Sequence, residues 1–192
     1  APDLGSGVVR RVGSSPISRT KNKLEAFKIL SWRLFNWLDM NKHQLCCIGH
    51  ITLDKVVTPQ NTVYMPGGTA FYCSHAIRHF NDIDYALVTA VGATEMNVVE
   101  QLREMGIHIT ALPSKYSVYF ENIYGANPDD RTQRVLAKAD PFTAGQLKDI
   151  DAQIYHLGSL LADDFSLEVI KELSQKGLIA VDSQGYLREV RD

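Results

Sequence analysis

From Leu45 onward, short apolar runs alternate with amphipathic segments that have the period of an α-helix. Runs rich in β-branched residues predict strands, and the segments between them predict helices. In chain order these elements read LCCIGHITL (strand), TAFYCSHAIRHF (helix), YALVTAVG (strand), TEMNVVEQLREMG (helix), IHITAL (strand), TAGQLKDI (helix), AQIYHLGS (strand), DFSLEVIKELSQKG (helix) and LIAVDS (strand). Strands joined through helices need right-handed crossovers. The order therefore predicts an α/β fold with a Rossmann-like core, in which helices flank a largely parallel sheet.

Two segments break this alternation. They read VVTPQNTVYM and KYSVYFENIYGANPDDRTQRVLAKAD, and both alternate polar with apolar residues. The second contains ANPDD, whose residue types favour a tight turn. The pattern predicts antiparallel hairpins that form a small excursion from the main sheet.

The first 39 residues differ in character from the rest of the chain. They contain seven basic and three acidic residues, whereas the whole chain has a net charge of −2. Residues 5–23 are rich in Gly, Ser and Arg, and apolar residues then recur at helical spacing from Leu24 to Leu38. We therefore predict a basic extension with an amphipathic helix over 1–39 and a separate domain over 40–192.

Composition narrows the classes of partner. The chain has no net positive charge with which to hold nucleic acid or an anionic membrane. Its most apolar N-terminal stretch, LEAFKILSWRLFNWLDM, is interrupted by charged residues and is neither a spanning helix nor a signal-peptide core. The three cysteines form no CxxC pair, which favours a reducing, cytoplasmic location. We expect a small-molecule ligand and neither nucleic acid nor membrane as a partner.

Two polar features are candidates for a binding site. Asp54 follows the first predicted strand, and ligands of open parallel sheets bind beyond the carboxyl ends of the strands. Gly67 and Gly68 stand where an extended segment enters a helix. Missing Cβ atoms let a ligand approach the main chain, and the free N–H groups of a helix start bind an anion or a hydroxyl. The alternatives are a solvated loop acid and a purely structural glycine pair.

Histidines and cysteines give weaker signals. His75 and His79 have H-x-x-x-H spacing without the Glu of HExxH, so no metal site is predicted. His50 and His156 are expected to be packed or to lie at strand ends rather than to act as general bases. Cys46, Cys47 and Cys73 are expected to be small core residues.

Three charged residues in the C-terminal part complete the candidates. Asp182 ends the last predicted strand on the ligand side, where it would border a phosphate path. Arg131 and Arg188 have the charge to reach an anionic substrate, but we expect both to be solvated.

In their order, these segments resemble the N-terminal half of the ribokinase-like, or PfkB, family of carbohydrate kinases. The resemblance covers roughly residues 45 to 190. It rests on the combination of several short motifs rather than on any single one. These motifs are CIGHITLDKVV with Gly49 and Asp54, PGGTAFYCSHAI with Gly67 and Gly68, ALVTAVG ending at Gly92, LREMGIHI, and VDSQGYLR.

The resemblance implies roles for named residues. Asp54, Gly67 and Gly68 would bind acceptor hydroxyls, and Thr69 beside them would add a contact. The predicted hairpins outside the main sheet would form a small antiparallel β lid over the sugar. The resemblance also allows a homodimer that forms through this lid. ATP and Mg²⁺ are the implied cofactors, although the main nucleotide pocket of such kinases is absent from this chain.

Three departures from the family pattern are visible. Tyr72 stands where members commonly have a substrate-contacting Asn, and VGATEMN replaces the usual VGxDxxG. The Gly-Ala-Gly-Asp stretch that performs phosphoryl transfer does not occur; we expect it beyond Asp192. The resemblance thus implies the acceptor-binding half of an ATP-dependent kinase of a sugar or polyol, an incomplete domain that is inactive alone. The alternatives are a noncatalytic small-molecule binding module and a Rossmann-type nucleotide-binding domain, although GxGxxG is missing.

Overall fold

The structure is a computed structural model, and it describes residues 42–188 with the exception of 81 and 128. The predicted basic extension over 1–39 lies outside the described residues. The described part of the chain forms nine strands and four α-helices. The strands are β1 (His43–Gly49), β2 (Thr52–Val57), β3 (Thr62–Gly67), β4 (Tyr85–Val91), β5 (His108–Pro113), β6 (Val118–Tyr124), β7 (Arg131–Ala137), β8 (Ala152–Gly158) and β9 (Leu178–Val181). The helices are α1 (Gly68–Ile77), α2 (Met96–Glu104), α3 (Ala144–Leu147) and α4 (Leu167–Ser174), with a 3₁₀ turn over Ala93–Glu95.

Five strands form a parallel sheet in the order β5-β4-β1-β8-β9, which confirms the predicted α/β architecture. Side chains of successive residues alternate between its two faces. Along β1, Cys46 belongs to the core cluster that includes Leu147 of α3 and Leu173 of α4. Cys47 belongs to the opposite cluster, with Val99 of α2. Both faces are thus covered by helices, as all-parallel sheets require.

A second sheet of four strands has the order β3-β2-β6-β7. The two antiparallel hairpins expected for the lid are present as β2-β3 and β6-β7. They are joined by a parallel pairing of β2 with β6, so the sheet is mixed. The parallel pairing arises because β2 follows β1 and β6 follows β5, and both leave parallel strands of the main sheet in the same direction.

The predicted first strand divides into two. β1 ends at Gly49, and β2 begins at Thr52 in the second sheet. Ile51 between them is buried and donates its N–H to the Thr89 hydroxyl at 3.1 Å instead of to a strand neighbour. Asp54 therefore lies within β2 and not in a loop after β1, and it pairs in register with Met65 and Phe120.

The loop after β8 is held by a buried carboxylate. Asp164 is 4% exposed, and its Oδ2 accepts hydrogen bonds from the N–H groups of Leu160 and Leu161 at 2.7 and 3.1 Å. Buried charged acceptors of this kind fix a loop because the unpaired N–H groups would be costly. The loop thereby presents Leu160 to the space between the two sheets.

Two observations bear on possible partners. Across the described residues, none of the helices combines the length and the apolarity needed to cross a bilayer. β3 is an edge strand of the second sheet, and it exposes Val63 and Tyr64. The dimer through the lid stays a prediction.

Candidate functional site

A cavity of about 740 Å³ lies between one face of the second sheet and the carboxyl-terminal edge of the main sheet. The second sheet forms one wall of the cavity, which we call the lid wall. Residues two apart on a strand share a face, so every second residue of each strand faces the cavity. That wall consists of Thr52, Asp54 and Val56 on β2, Phe120, Asn122 and Tyr124 on β6, Arg131 and Gln133 on β7, and Met65 on β3. Residues of α1, β8 and the turn after β9 form the opposite wall.

Asp54 is half-buried in this cavity. Its Oδ1 accepts a hydrogen bond from the Thr52 hydroxyl at 2.7 Å. Its other oxygen accepts no hydrogen bond from the described residues. Burial raises the pKa of Asp54, while the Thr52 hydrogen bond and the charges of Arg188 and Arg131 act in the opposite direction. The carboxylate is thus anchored by one oxygen and has hydrogen-bonding capacity left on the other.

The raised pKa of Asp54 predicts a pH-dependent effect on stability. The stability contributed by the protonated carboxyl is present below the ordinary pKa of Asp, and it is lost as the pH rises through the higher folded-state pKa. Asp54→Asn removes this titration and keeps the oxygen that accepts from Thr52. We expect the melting temperature of Asp54→Asn minus that of the wild type to increase between about pH 3.5 and pH 7.

The control for this experiment is Asp149→Asn, which removes a negative charge from a side chain that is 86% exposed. If the melting temperature of Asp54→Asn minus that of the wild type stays constant or falls with rising pH, burial does not disfavour the carboxylate.

The glycine pair is required by the protein's own atoms. A Cβ on Gly67 would lie 2.5 Å from Asp54 Oδ2 and 2.9 Å from Thr52 Oγ1. Gly68 has φ +88°, and a Cβ there would overlap the carbonyl oxygen of His50. The space that a Cβ would take at either glycine is occupied by β2 and the segment before it, and a contact of the glycine pair with acceptor hydroxyls stays a prediction. Gly68 nevertheless lines the cavity, and Gly67 packs directly against Asp54.

Thr69 joins a polar network with two residues more than a hundred positions away. Its hydroxyl donates to Asp182 Oδ2 at 3.0 Å and accepts from Gln184 Nε2 at 2.9 Å. Gln184 also donates from its Nε2 to Asp182 Oδ2 at 2.6 Å. All three side chains line the cavity. The structure therefore brings Asp182 next to the glycine turn, and a ligand contact by Thr69 stays a prediction.

Both arginines that were expected to be solvated line the cavity. Arg131 is exposed at its rim. Arg188 is half-buried; its guanidinium donates to the Leu160 carbonyl at 2.8 Å and to Gln184 Oε1 at 3.1 Å, and lies 5.2 Å from the centre of the Phe120 ring. The expectation was therefore wrong for Arg188, because the turn after β9 folds back onto the lid.

The remaining candidates are divided between the cavity lining and the core. Tyr72 lines the cavity and is 53% exposed. His156 and Cys73 also line it; Cys73 is partly buried and packs against the core cluster that contains Cys47. His50 is fully buried and stacks on Phe142, as predicted for a packed residue.

Several lining residues escaped sequence reasoning. Asn122 and Gln133 face each other across the β6-β7 hairpin, where Gln133 Nε2 donates to Asn122 Oδ1 at 2.8 Å. Their alternation with apolar neighbours was visible as a strand pattern. The pattern alone does not say which face of the hairpin meets a ligand.

Mg²⁺ takes oxygen ligands and is commonly held by one or two carboxylates together with substrate phosphates. The carboxylates that line the cavity are Asp54 and Asp182. In the described part of the chain, the one group of three close metal-ligating side chains is Cys47, Cys73 and His156, which is not a set of oxygen ligands.

Solved structures show a clear likeness in fold. A pyrophosphate-dependent kinase in the ribokinase family superposes with a TM-score of 0.66 at 25% identity, over 74% of this chain and 51% of the other. A nucleoside kinase of Burkholderia thailandensis in complex with inosine gives 0.58 at 18% identity, over 74% and 53%. Phosphofructokinase-2 from Escherichia coli in complex with fructose-6-phosphate gives 0.52 at 15% identity, over 72% and 54%.

The chain therefore has a ribokinase-like fold, and it spans about half the length of these solved structures. The sequence itself matches no family model and no curated protein. The structural neighbours are kinases, so the fold is one that supports phosphoryl transfer.

Proposed function

We propose that this chain forms the acceptor-binding half of a kinase that phosphorylates a hydroxyl group of a sugar or related polyol. The observation that carries the proposal is the Asp54 carboxylate, which is half-buried in a cavity under a β lid, in a ribokinase-like fold. A carboxylate with a free oxygen accepts hydrogen bonds from substrate hydroxyls, and such charged bonds are worth about 1.5–3 kcal/mol each.

The composition of the cavity suits a polyhydroxylated ligand. Its volume of about 740 Å³ lies within the range of small-molecule sites, about 300–1,000 Å³. Asn122 and Gln133 offer amide donors and acceptors on the same wall as Asp54, while Phe120 and Met65 offer apolar surface to the C–H groups of a ring. The solved structures of similar fold include one bound to myo-inositol and another bound to fructose-6-phosphate.

ATP is the donor that the sequence resemblance implies, whereas two of the solved structures of similar fold are of pyrophosphate-dependent kinases. Bound Mg²⁺ would neutralise charge on the transferred phosphoryl group. Because the sequence contains no Gly-Ala-Gly-Asp stretch, to which the family resemblance assigns phosphoryl transfer, we propose that the chain alone transfers no phosphoryl group from either donor.

The proposal is tested by acceptor binding to this chain. A thermal-shift panel of myo-inositol, hexoses, pentoses, nucleosides and fructose-6-phosphate should identify a class that raises the melting temperature saturably. At a hundred times the dissociation constant, binding stabilises by about 2.7 kcal/mol, which corresponds to roughly 5–10 °C for a chain of this size. At the same ligand concentration, Asp54→Ala should lower the shift by about half or more, and the exposed-site control Asp149→Ala should keep it.

Two results would count against the proposal. One is a panel in which no class stabilises the chain, and the other is an Asp54→Ala variant that responds like the wild type. Saturable binding without turnover by the full-length protein, given both donors, would favour a noncatalytic binding module instead.

A further inference from the structure

Two cysteines and a histidine that are far apart in the sequence meet behind the wall of the cavity. Cys47 lies on β1, Cys73 on α1 and His156 on β8. One ligand atom from each of the three residues lies within 4.8 Å of the other two, and Cys73 Sγ is 3.8 Å from His156 Nδ1. The neighbouring strands β1 and β8 place Cys47 and His156 in register, and α1 crosses above them.

This spacing is close to that of a tetrahedral metal site. With metal–sulfur distances of about 2.3 Å and metal–nitrogen distances of about 2.0–2.1 Å, the ligand atoms of such a site are about 3.5–3.8 Å apart. The three side chains therefore need to move by about an ångström or less. Their backbones belong to two strands and a helix of the core, which hold them in this arrangement.

The donor atoms select the kind of ion. Two sulfurs and an imidazole suit Zn²⁺ and other thiophilic ions, whereas Mg²⁺ and Ca²⁺ prefer oxygen. Cysteine binds such an ion as the thiolate, so metal binding would release the thiol protons to solvent.

The three residues differ in their exposure to the cavity. Cys47 is fully buried, whereas Cys73 and His156 line the cavity. An ion held by all three would therefore be closed off behind and accessible in front. Three protein ligands with one open position are typical of zinc sites that accept an exogenous ligand.

We propose that Cys47, Cys73 and His156 form a binding site for a thiophilic divalent cation such as Zn²⁺, with a fourth position that opens into the cavity. The proposed cation site does not depend on the proposed acceptor function, because Asp54 is not one of its ligands. Water or a hydroxyl group of a molecule in the cavity would complete the tetrahedron.

The test uses the freshly reduced full chain with Co²⁺ and Zn²⁺ as probes. Co²⁺ should give the visible spectrum of a tetrahedral site together with a thiolate charge-transfer band, at one ion per chain, and Zn²⁺ should displace it. Loss of second-shell partners weakens metal sites about 10- to 100-fold, so loss of a direct ligand should weaken binding by more than about 100-fold. We expect this for Cys73→Ser and for His156→Gln.

Cys46→Ala is the matched control, because Cys46 is equally buried but belongs to the core cluster on the other face of the sheet. It should bind Co²⁺ like the wild type. If Cys73→Ser lacks a cooperative melting transition, the test is the Co²⁺ affinity of His156→Gln, which should fall by more than about 100-fold.

Three results would overturn the proposal. The first is a wild-type chain without a thiolate band at micromolar Co²⁺. The second is unchanged affinity in a folded Cys73→Ser or His156→Gln variant. The third is a loss in Cys46→Ala as large as in Cys73→Ser. Binding elsewhere, for example at the adjacent rings of His43 and His108, would give no thiolate band and would also count against the site.

Discussion

The proposed acceptor-binding role of Asp54 predicts that Asp54→Ala lowers kcat/KM for the acceptor about 10- to 200-fold in a protein that contains both proposed halves of the kinase. One hydrogen bond to a carboxylate contributes about 1.5–3 kcal/mol, and each 1.4 kcal/mol is a factor of ten. The affinity for the phosphoryl donor should hardly change, because the proposed donor site is built from the other half. Steady-state kinetics with the acceptor and the donor varied separately would measure both effects.

Asp54→Asn should be milder than Asp54→Ala. The amide keeps the oxygen that accepts from Thr52, and it can still hydrogen-bond to a hydroxyl group. A solvated acid without a role in binding would instead give changes within about twofold for both variants. A folded Asp54→Ala enzyme with nearly wild-type kcat/KM would remove the residue on which the proposed acceptor site depends.

Gly68→Ala should destabilise the chain by about 2–5 kcal/mol. An L-residue in the left-handed region costs about 1–2 kcal/mol, and overpacking in a close-packed region adds about 1–3 kcal/mol. The overlap is with the backbone carbonyl of His50, which cannot swing away as a side chain would. At about 2–4 °C per kcal/mol, the melting temperature should fall by roughly 4–20 °C.

Gly106→Ala separates the two causes. Gly106 has nearly the same φ, +86°, but a Cβ there would meet nothing within 4 Å. It should therefore show only the conformational cost of about 1–2 kcal/mol. Equal destabilisation of the two variants, measured by chemical unfolding, would mean that the contact with His50 does not restrict Gly68.

The order of strands and helices followed from the sequence because it depends on local periodicity. β4 is apolar at nearly every position and is buried throughout, as a central parallel strand must be. The two hairpins of the lid were also visible as alternation around turn residues. Periodicity did not reveal the break at His50, where the chain leaves one sheet for another without losing its extended, apolar pattern.

Asp54, Gly67 and Gly68 lie next to one another in the structure, and their role as contacts of acceptor hydroxyls stays a prediction. A sequence shows that a glycine is present and not which atoms require it. Here the atoms are those of Asp54, Thr52 and His50, which approach the main chain from β2 and the segment before it. Close approach of this kind is a property of the packed backbone and leaves no local pattern.

The contents of the cavity were decided by tertiary structure. Thr69 and Asp182 are 113 residues apart, and Cys73 and His156 are 83 apart. They meet because β8 lies beside β1 in the sheet, although the two strands are far apart in the chain, and because β9 lies on the other side of β8. Alternation along a strand tells which residues share a face, whereas the faces that meet are set by strand order and by the packing of α1 over the sheet. These depend on burial of apolar surface by the whole domain, which no single stretch of sequence contains.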